Sequence, residues 1–139
     1  MSASVQTTNL STNRVRRIGG NALIFLGGFG LLAAAGTKFA HLPPVVAQLT
    51  TAGFGGGKIT LVATLELLSA LLFLFVPTRS VGLLFVSAFL GGAIATHVQG
   101  GEYSGALAPA FFMSLCWLGA WLRHPEVLWS LNRSLQPTK

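Results

Sequence analysis

The chain has 139 residues, of which 52% are hydrophobic and only 9% are charged. Soluble domains carry about 25% charged residues, so this composition excludes an ordinary water-soluble fold and indicates a membrane protein. A membrane topology with basic loops and anionic lipid headgroups accounts for the net charge of +6, and no pattern typical of nucleic-acid binding is present.

Four apolar segments follow one another along the chain. Each is close to the roughly 20 residues that a helix needs to cross the hydrocarbon core. None shows the alternating ~10-residue pattern of a membrane β-strand. The sequence therefore predicts an all-α four-transmembrane-helix bundle, with helices at about 18–40, 57–76, 80–98 and 106–122.

The first apolar segment follows a polar, Ser- and Thr-rich stretch at residues 1–13, which we predict to be disordered. Basic residues precede the segment and small residues end it, which is also the layout of a secretory signal peptide. The apolar run is longer than a usual signal core, so we predict a retained helix. Cleavage, which would leave three helices, is the alternative.

The loop between the first two segments contains signals for a short helix. Pro44 suits the first turn of a helix and Gly53 suits its end. Val45, Val46 and Leu49 would share one apolar face. We therefore predict a short interfacial helix on the outer side of the membrane.

The third segment carries small residues at four-residue spacing, Ser87, Gly91 and Ala95. Such spacing lets helix backbones approach closely. Packing inside the bundle is one explanation, and the seam of a homodimer is the other.

The C-terminal part of the chain adds one cysteine and a tail. Cys116 lies alone in the fourth segment, so an intrachain disulfide is excluded. After Pro125, apolar residues recur on one helical face. Residues 125–139 are therefore predicted to form an amphipathic cytoplasmic tail on the inner leaflet.

The basic residues predict the orientation. Three arginines precede the first segment, Arg79 lies between the second and third, and further basic residues follow the fourth. The opposite side has only Lys38 and Lys58. Since an excess of Lys and Arg marks the cytoplasmic side, both termini are predicted to be cytoplasmic.

Ionisable residues inside the apolar segments are the strongest functional signal. Glu66 lies near the middle of the second segment, where a charge costs on the order of 2.5–3.5 kcal/mol. Lys38 and His97 end the first and third segments on the predicted outer side, ~12 Å from the midplane, and Glu102 follows. A lysine side chain can reach inward or snorkel outward. We predict one outward-opening pocket that holds all four groups as candidates for ligand binding or proton exchange.

A purely structural role is the alternative for this set. Glu66 would then be protonated, or would pair with Lys38 to lock two helices together. The three histidines show no paired ligand spacing, so we predict no metal site.

Three stretches together resemble the DoxX-like family of small four-helix bacterial membrane proteins. They are AAAGTKFA in the first segment, GKITLVATLELLSALLFLFVPTR in the second and GGAIATHVQGGE in the third. The resemblance covers about residues 18–124. Residues 14–124 are accordingly expected to form one DoxX-like domain, a multi-pass protein of the bacterial inner membrane.

The resemblance implies a link with membrane-bound thiosulfate:quinone oxidoreductases and with thiol or oxidative-stress handling. We therefore expect a subunit of a membrane redox system that works with a membrane or periplasmic oxidoreductase and binds a quinone or a small sulfur anion. Lys38 would supply positive charge, His97 a hydrogen bond and Glu66 an exchangeable proton. A non-catalytic scaffold and a small-solute permease are the alternatives. No covalent cofactor is expected, and whether the chain is itself an enzyme is left open.

Overall fold

The computed structural model describes residues 2–124, with side chains from residue 14 onward. Every regular element in this range is helical. The elements are α1 (Ser2–Phe39), α2 (Pro43–Thr51), α3 (Gly57–Leu74), a 3-10 turn (Val76–Thr78), α4 (Arg79–Gln99) and α5 (Leu107–Arg123).

The helix α1 begins at Ser2 and so includes most of the stretch at residues 1–13. The stretch before Ile18 contains neither glycine nor proline. Because extending an existing helix adds one hydrogen bond for each residue fixed, the apolar part of α1 can propagate backwards through this segment. The predicted tail at residues 125–139 lies outside the described residues.

Three helical stretches are long and apolar enough to cross a membrane by length and composition. They are Arg14–Phe39, Gly57–Leu74 and Val76–Gln99. Helix α5 is equally apolar in character but has 17 residues, or about 26 Å of helix. The prediction of a helical membrane protein is confirmed.

The four long helices form a ring. Helix α1 packs on α3 and α5, and α4 packs on the same two helices from the opposite side. A 3-10 turn joins α3 to α4 and a short loop joins α4 to α5, whereas α2 lies in the connection between α1 and α3; neighbouring long helices run antiparallel. We call one end of the ring the pocket end; it holds the end of α1, the start of α3, the end of α4 and the start of α5. The other we call the basic end.

The tightest packing lies toward the basic end. Gly82 of α4 faces the backbone of Leu72 and Phe73 so closely that a Cβ atom at Gly82 would overlap it. Across the ring, a Cβ at Gly119 of α5 would lie 2.9 Å from the amide nitrogen of Ile24 in α1. Larger buried side chains form the core of the bundle: Ile24, Leu31, Phe73, Leu83, Val86, Leu90 and Cys116.

The small-residue spacing of α4 does not create a close contact within the bundle. A Cβ added at Gly91 or Gly92 would meet no atom within 4 Å. Ser87 instead accepts a hydrogen bond of 2.9 Å from the indole Nε1 of Trp117 in α5. Small residues on this helix therefore leave open space toward the pocket end, where the site is found.

Candidate functional site

Glu66 is the buried carboxylate at the centre of the site. It is the tenth of the 18 residues of α3 and is only 3% exposed. It shares the buried face of α3 with Ala63 and Ala70, both fully buried, as the 3.6-residue period requires. The helix thus carries a carboxylate on a buried face that is otherwise apolar apart from Ser69.

Lys38 reaches Glu66 from the end of α1. Side chains lean toward the N-terminus of their own helix, so a lysine in the last turn of α1 points back into the bundle. Its Nζ lies 2.7 Å from Glu66 Oε2 and donates a second hydrogen bond, of 3.3 Å, to the carbonyl of Ala34. Among the described residues, Lys38 is the sole partner of the Glu66 carboxylate. The Lys38 side chain therefore reaches into the bundle and does not snorkel outward.

The pair is largely shielded from solvent: 15% of the Lys38 side chain and 4% of the Glu66 side chain are exposed. Removing two charges from water costs several kcal/mol for each ion, which close pairing offsets only in part. Removing one partner would leave the other charge buried and unpaired. The ion pair therefore links α1 to α3, and each group balances the buried charge of the other.

His97 lies in the last turn of α4. Its Nδ1 is 3.4 Å from Glu102 Oε2, and the Glu102 backbone amide donates a 2.9 Å hydrogen bond to the His97 carbonyl. The imidazole packs against Gly105, where a Cβ atom would overlap the ring. The tight turn that brings Glu102 and Gly105 over His97 uses Gly101, whose φ is 74°.

A cavity of about 490 Å³ connects these groups. Its wall includes Lys38, Glu66 and His97, so the structure places three of the four candidate residues in one pocket. Glu102 does not line it: its side chain is 58% exposed and contacts His97 from outside. The expectation that all four groups share the pocket is corrected at Glu102, because the turn at Gly101 carries that side chain past the helix end.

The cavity wall is mainly apolar and draws on all five helices. Three uncharged polar residues, Thr37, Gln48 and Thr96, accompany the ionisable set. The apolar contributors include Leu31, Ala34, Val62, Leu65, Ala88, Phe89, Ala93, Pro109 and Phe112. Small residues on this wall, Ala34 on α1 and Ala88, Gly92 and Ala93 on α4, leave space for the cavity.

Helix α2 contributes one face to the cavity wall at the pocket end, which the sequence analysis did not predict. A short helix was predicted here, but its apolar face was assigned to the membrane surface. Val45, Gln48, Leu49 and Ala52 all line the cavity instead. Their spacing of i, i+3, i+4 and i+7 was the available signal, since it marks one face of a helix.

The described residues contain no group of three or more His, Cys, Asp or Glu side chains that could hold a metal ion. Cys116 lies fully buried in the core, where a Cβ at Gly27 would come within 2.7 Å of its Sγ, and it does not line the cavity. The polar chemistry of the cavity therefore comes from an amine, a carboxyl group, an imidazole and neutral hydrogen-bonding groups.

Comparison with known protein families confirms the resemblance seen in the sequence. Residues 22–119 match the model of the DoxX-like family. This range extends from α1 into α5 and contains Lys38, Glu66, His97 and Glu102. No curated protein and no solved structure matches the chain.

Proposed function

Because the chain belongs to the DoxX-like family, we propose that it is a bacterial inner-membrane protein whose cavity binds a quinone-like ligand in a membrane redox system. A membrane or periplasmic oxidoreductase would be the partner that exchanges electrons with this ligand. The observation that carries the proposal is the buried Lys38–Glu66 pair on the wall of a mainly apolar 490 Å³ cavity.

The proposed topology has four spans, with α5 as the fourth. Its 17 residues cover about 26 Å, and the preceding turn extends the apolar segment toward the membrane surface. The described part of the basic end carries five arginines, whereas the pocket end carries two lysines and two glutamates. By the positive-inside rule the basic end is cytoplasmic, and the cavity opens on the outer side.

The charge of the site favours a neutral ligand over a small sulfur dianion. Lys38 is the cation nearest the buried carboxylate, and its charge is already balanced by Glu66 at 2.7 Å. A dianion such as thiosulfate would need net positive charge to compensate its desolvation. A quinone needs an apolar slot with a few polar groups, and the cavity wall supplies both.

The polar groups have capacity left for such a ligand. A lysine ammonium has three N–H donors, and Lys38 uses two of them, on Glu66 and Ala34. The third is available to a ligand carbonyl oxygen. His97, also on the wall, can donate or accept through its ring nitrogens. Glu66 would take up or release the proton that accompanies a change in ligand charge.

Thermal-shift measurements on the purified protein test this proposal. We expect ubiquinone or menaquinone to raise the Tm of the wild type more than that of Glu66→Gln or Lys38→Met, and thiosulfate to have little effect. Glu102→Gln is the matched control, because Glu102 is exposed and does not line the cavity. Its ligand-induced shift should equal that of the wild type.

Two other outcomes identify the alternative functions. If no quinone stabilises the wild type more than Glu66→Gln or Lys38→Met, the Lys38–Glu66 ion pair only holds α1 against α3. The scaffold function is then favoured. If a small solute is taken up by proteoliposomes containing the wild type but not Glu66→Gln, the permease function is favoured.

A further inference from the structure

Arg79 is a buried cation at the basic end, far from the cavity. It is the first residue of α4 and is only 8% exposed. Its Nε donates a 3.3 Å hydrogen bond to the carbonyl of Phe73, and one Nη donates at 3.4 Å to that of Leu74. These carbonyls end α3, so the side chain caps that helix. Of its five N–H donors, three remain without a protein acceptor among the described residues.

Arg123 is the second cation at this end. It is the last residue of α5, and its aliphatic stem packs on α1, where a Cβ at Gly20 would lie 3.0 Å from its Cγ. This close packing buries the Nε atom of Arg123, which has no hydrogen-bond partner among the described residues. A buried donor without a partner costs about 1–3 kcal/mol, and more when it is charged.

Arg79 begins α4 and Arg123 ends α5, and these two helices pack on each other in antiparallel directions, so both cations lie at the basic end of the bundle. No carboxylate balances them in the described part of the chain, because Glu66 and Glu102 both lie at the pocket end. The third acidic residue, Glu126, lies outside the described residues. Arg16, one helical turn before Gly20, adds positive charge on the same face of α1. Among the described residues, these cations have no anionic partner.

We propose that Arg79 and Arg123 form a binding site for a phosphate group at the basic end. A phosphate offers several acceptor oxygens, and the planar guanidinium fork matches them with two parallel N–H donors. One phosphate bridging the two side chains would satisfy the buried Nε, balance the positive charge and tie the ends of α3 and α5 together. Basic pockets between helices at a membrane surface bind lipid headgroups in this manner.

The shared chemistry is a phosphate anion, which either an anionic lipid headgroup or free phosphate supplies. Native mass spectrometry of detergent-purified protein tests the first source, with phosphatidylglycerol compared against zwitterionic phosphatidylcholine. A thermal-shift titration with inorganic phosphate, matched in ionic strength by chloride, tests the second. Retention of phosphatidylglycerol without a phosphate-specific shift identifies the lipid; the reverse identifies free phosphate. Either result supports the site.

The decisive variant is Arg123→Gln, with Arg17→Gln as its matched control. Arg17 is exposed on α1 at the same end, so both variants lose one charge but only one alters the site. We expect Arg123→Gln to weaken retention or the phosphate shift about tenfold, since one charge-assisted hydrogen bond contributes that much. Arg17→Gln should behave as the wild type. Arg123→Lys, which keeps the charge but loses the fork, should give an intermediate result.

Three outcomes would overturn the proposal. In the first, the wild type retains phosphatidylglycerol no better than phosphatidylcholine, and phosphate stabilises it no more than chloride does. Another is an equal loss in Arg123→Gln and Arg17→Gln, which would indicate general surface charge. The last is binding that appears only in Glu126→Gln, which would mean that the tail carboxylate serves the two arginines. If Arg79→Gln does not fold because its cap on α3 is lost, the Arg123 series still decides the question.

Discussion

Glu66 and Lys38 show how single residues define this molecule. The buried face of α3 is otherwise apolar or hydroxylated, yet Glu66 is 3% exposed and held by one ammonium group. Membrane-embedded carboxylates are costly and are found where they serve a function or pair with a cation. Here the carboxylate pairs with a cation and also lines a cavity. The proposed ligand site depends on that combination.

Removing one partner of the pair should cost more than removing both. We expect Lys38→Met to destabilise the protein by about 3–5 kcal/mol, because the Glu66 carboxylate would remain buried without a partner. The double variant Lys38→Met, Glu66→Met should recover most of this loss, since two apolar side chains leave no buried charge. Reversible denaturation in detergent, analysed as a double-mutant cycle, measures the coupling.

The control for this cycle is Lys58→Met. Lys58 is exposed, and its Nζ donates only to the carbonyl of Gly53 at 3.2 Å, so its loss should change stability by less than about 0.5 kcal/mol. Equal effects of Lys38→Met and Lys58→Met would show that the buried pair contributes nothing to the fold.

At the scale of the helices, one glycine sets the contact between α3 and α4. A side chain at Gly82 would overlap the backbone of Phe73, which cannot move aside as a flexible side chain can. Gly82→Ala should therefore lower the Tm strongly, by an amount equivalent to about 1–3 kcal/mol or more. Gly91→Ala on the same helix meets open space and should leave the Tm unchanged or slightly higher.

Thermal denaturation of these two variants in parallel controls for helix propensity, because both replace a helical glycine with alanine. A similar Tm for Gly82→Ala and the wild type would mean that α3 and α4 are not in the close contact described.

Among α2, α3, α4 and α5, we expect α2 to be the least stable helix. It has no buried residue and packs only lightly on α1, whereas α3 has six buried residues. Local opening is easiest where few apolar contacts must be broken. Hydrogen exchange followed by mass spectrometry should show faster exchange over Pro43–Thr51 than over Gly57–Leu74. Equal protection of the two helices would contradict this.

Sequence reasoning located the helices and most of the site, but for different reasons. Long apolar runs and their Pro and Gly boundaries define α3 and α4 almost to the residue, since few other structures bury such runs. Lys38, Glu66 and His97 stood out because ionisable groups are rare there.

The sequence predicted a pocket, but neither its volume nor the contribution of α2 to its wall could be predicted. Its volume depends on how far the helices separate toward the pocket end, which depends on close contacts such as Gly82 against Phe73 at the other end. The position of α2 at the cavity wall depends on a left-handed turn at Gly53, with φ of 85°, and on Gly56. Tertiary contacts of this kind leave no periodic signal in the sequence.

At the scale of the whole molecule, charge is divided between two ends. Arginines gather at the basic end, and both described glutamates lie toward the pocket end. The proposed orientation places the termini in the cytoplasm and the cavity outside. The two proposed sites, one for a quinone-like ligand and one for phosphate, therefore face opposite sides of the membrane.

Thiol labelling in intact spheroplasts tests this orientation. In a Cys116→Ala background, Thr51→Cys and Ser104→Cys should react with an impermeant maleimide, whereas Ser4→Cys should react only after lysis. Thr51 and Ser104 are both exposed at the pocket end. The opposite labelling pattern would invert the topology and place the cavity on the cytoplasmic side.

Direct binding of a short-chain ubiquinone is the measurement that bears most closely on the proposed function. Isothermal titration calorimetry would compare the wild type with two variants that add the same volume to α4. Ala93 lines the cavity, whereas Ala95 is exposed and does not. We expect the wild type and Ala95→Leu to bind equally and Ala93→Leu to bind at least about tenfold more weakly, because the added side chain occupies ligand space. No binding by the wild type, or equal binding by all three proteins, would contradict a quinone site in this cavity.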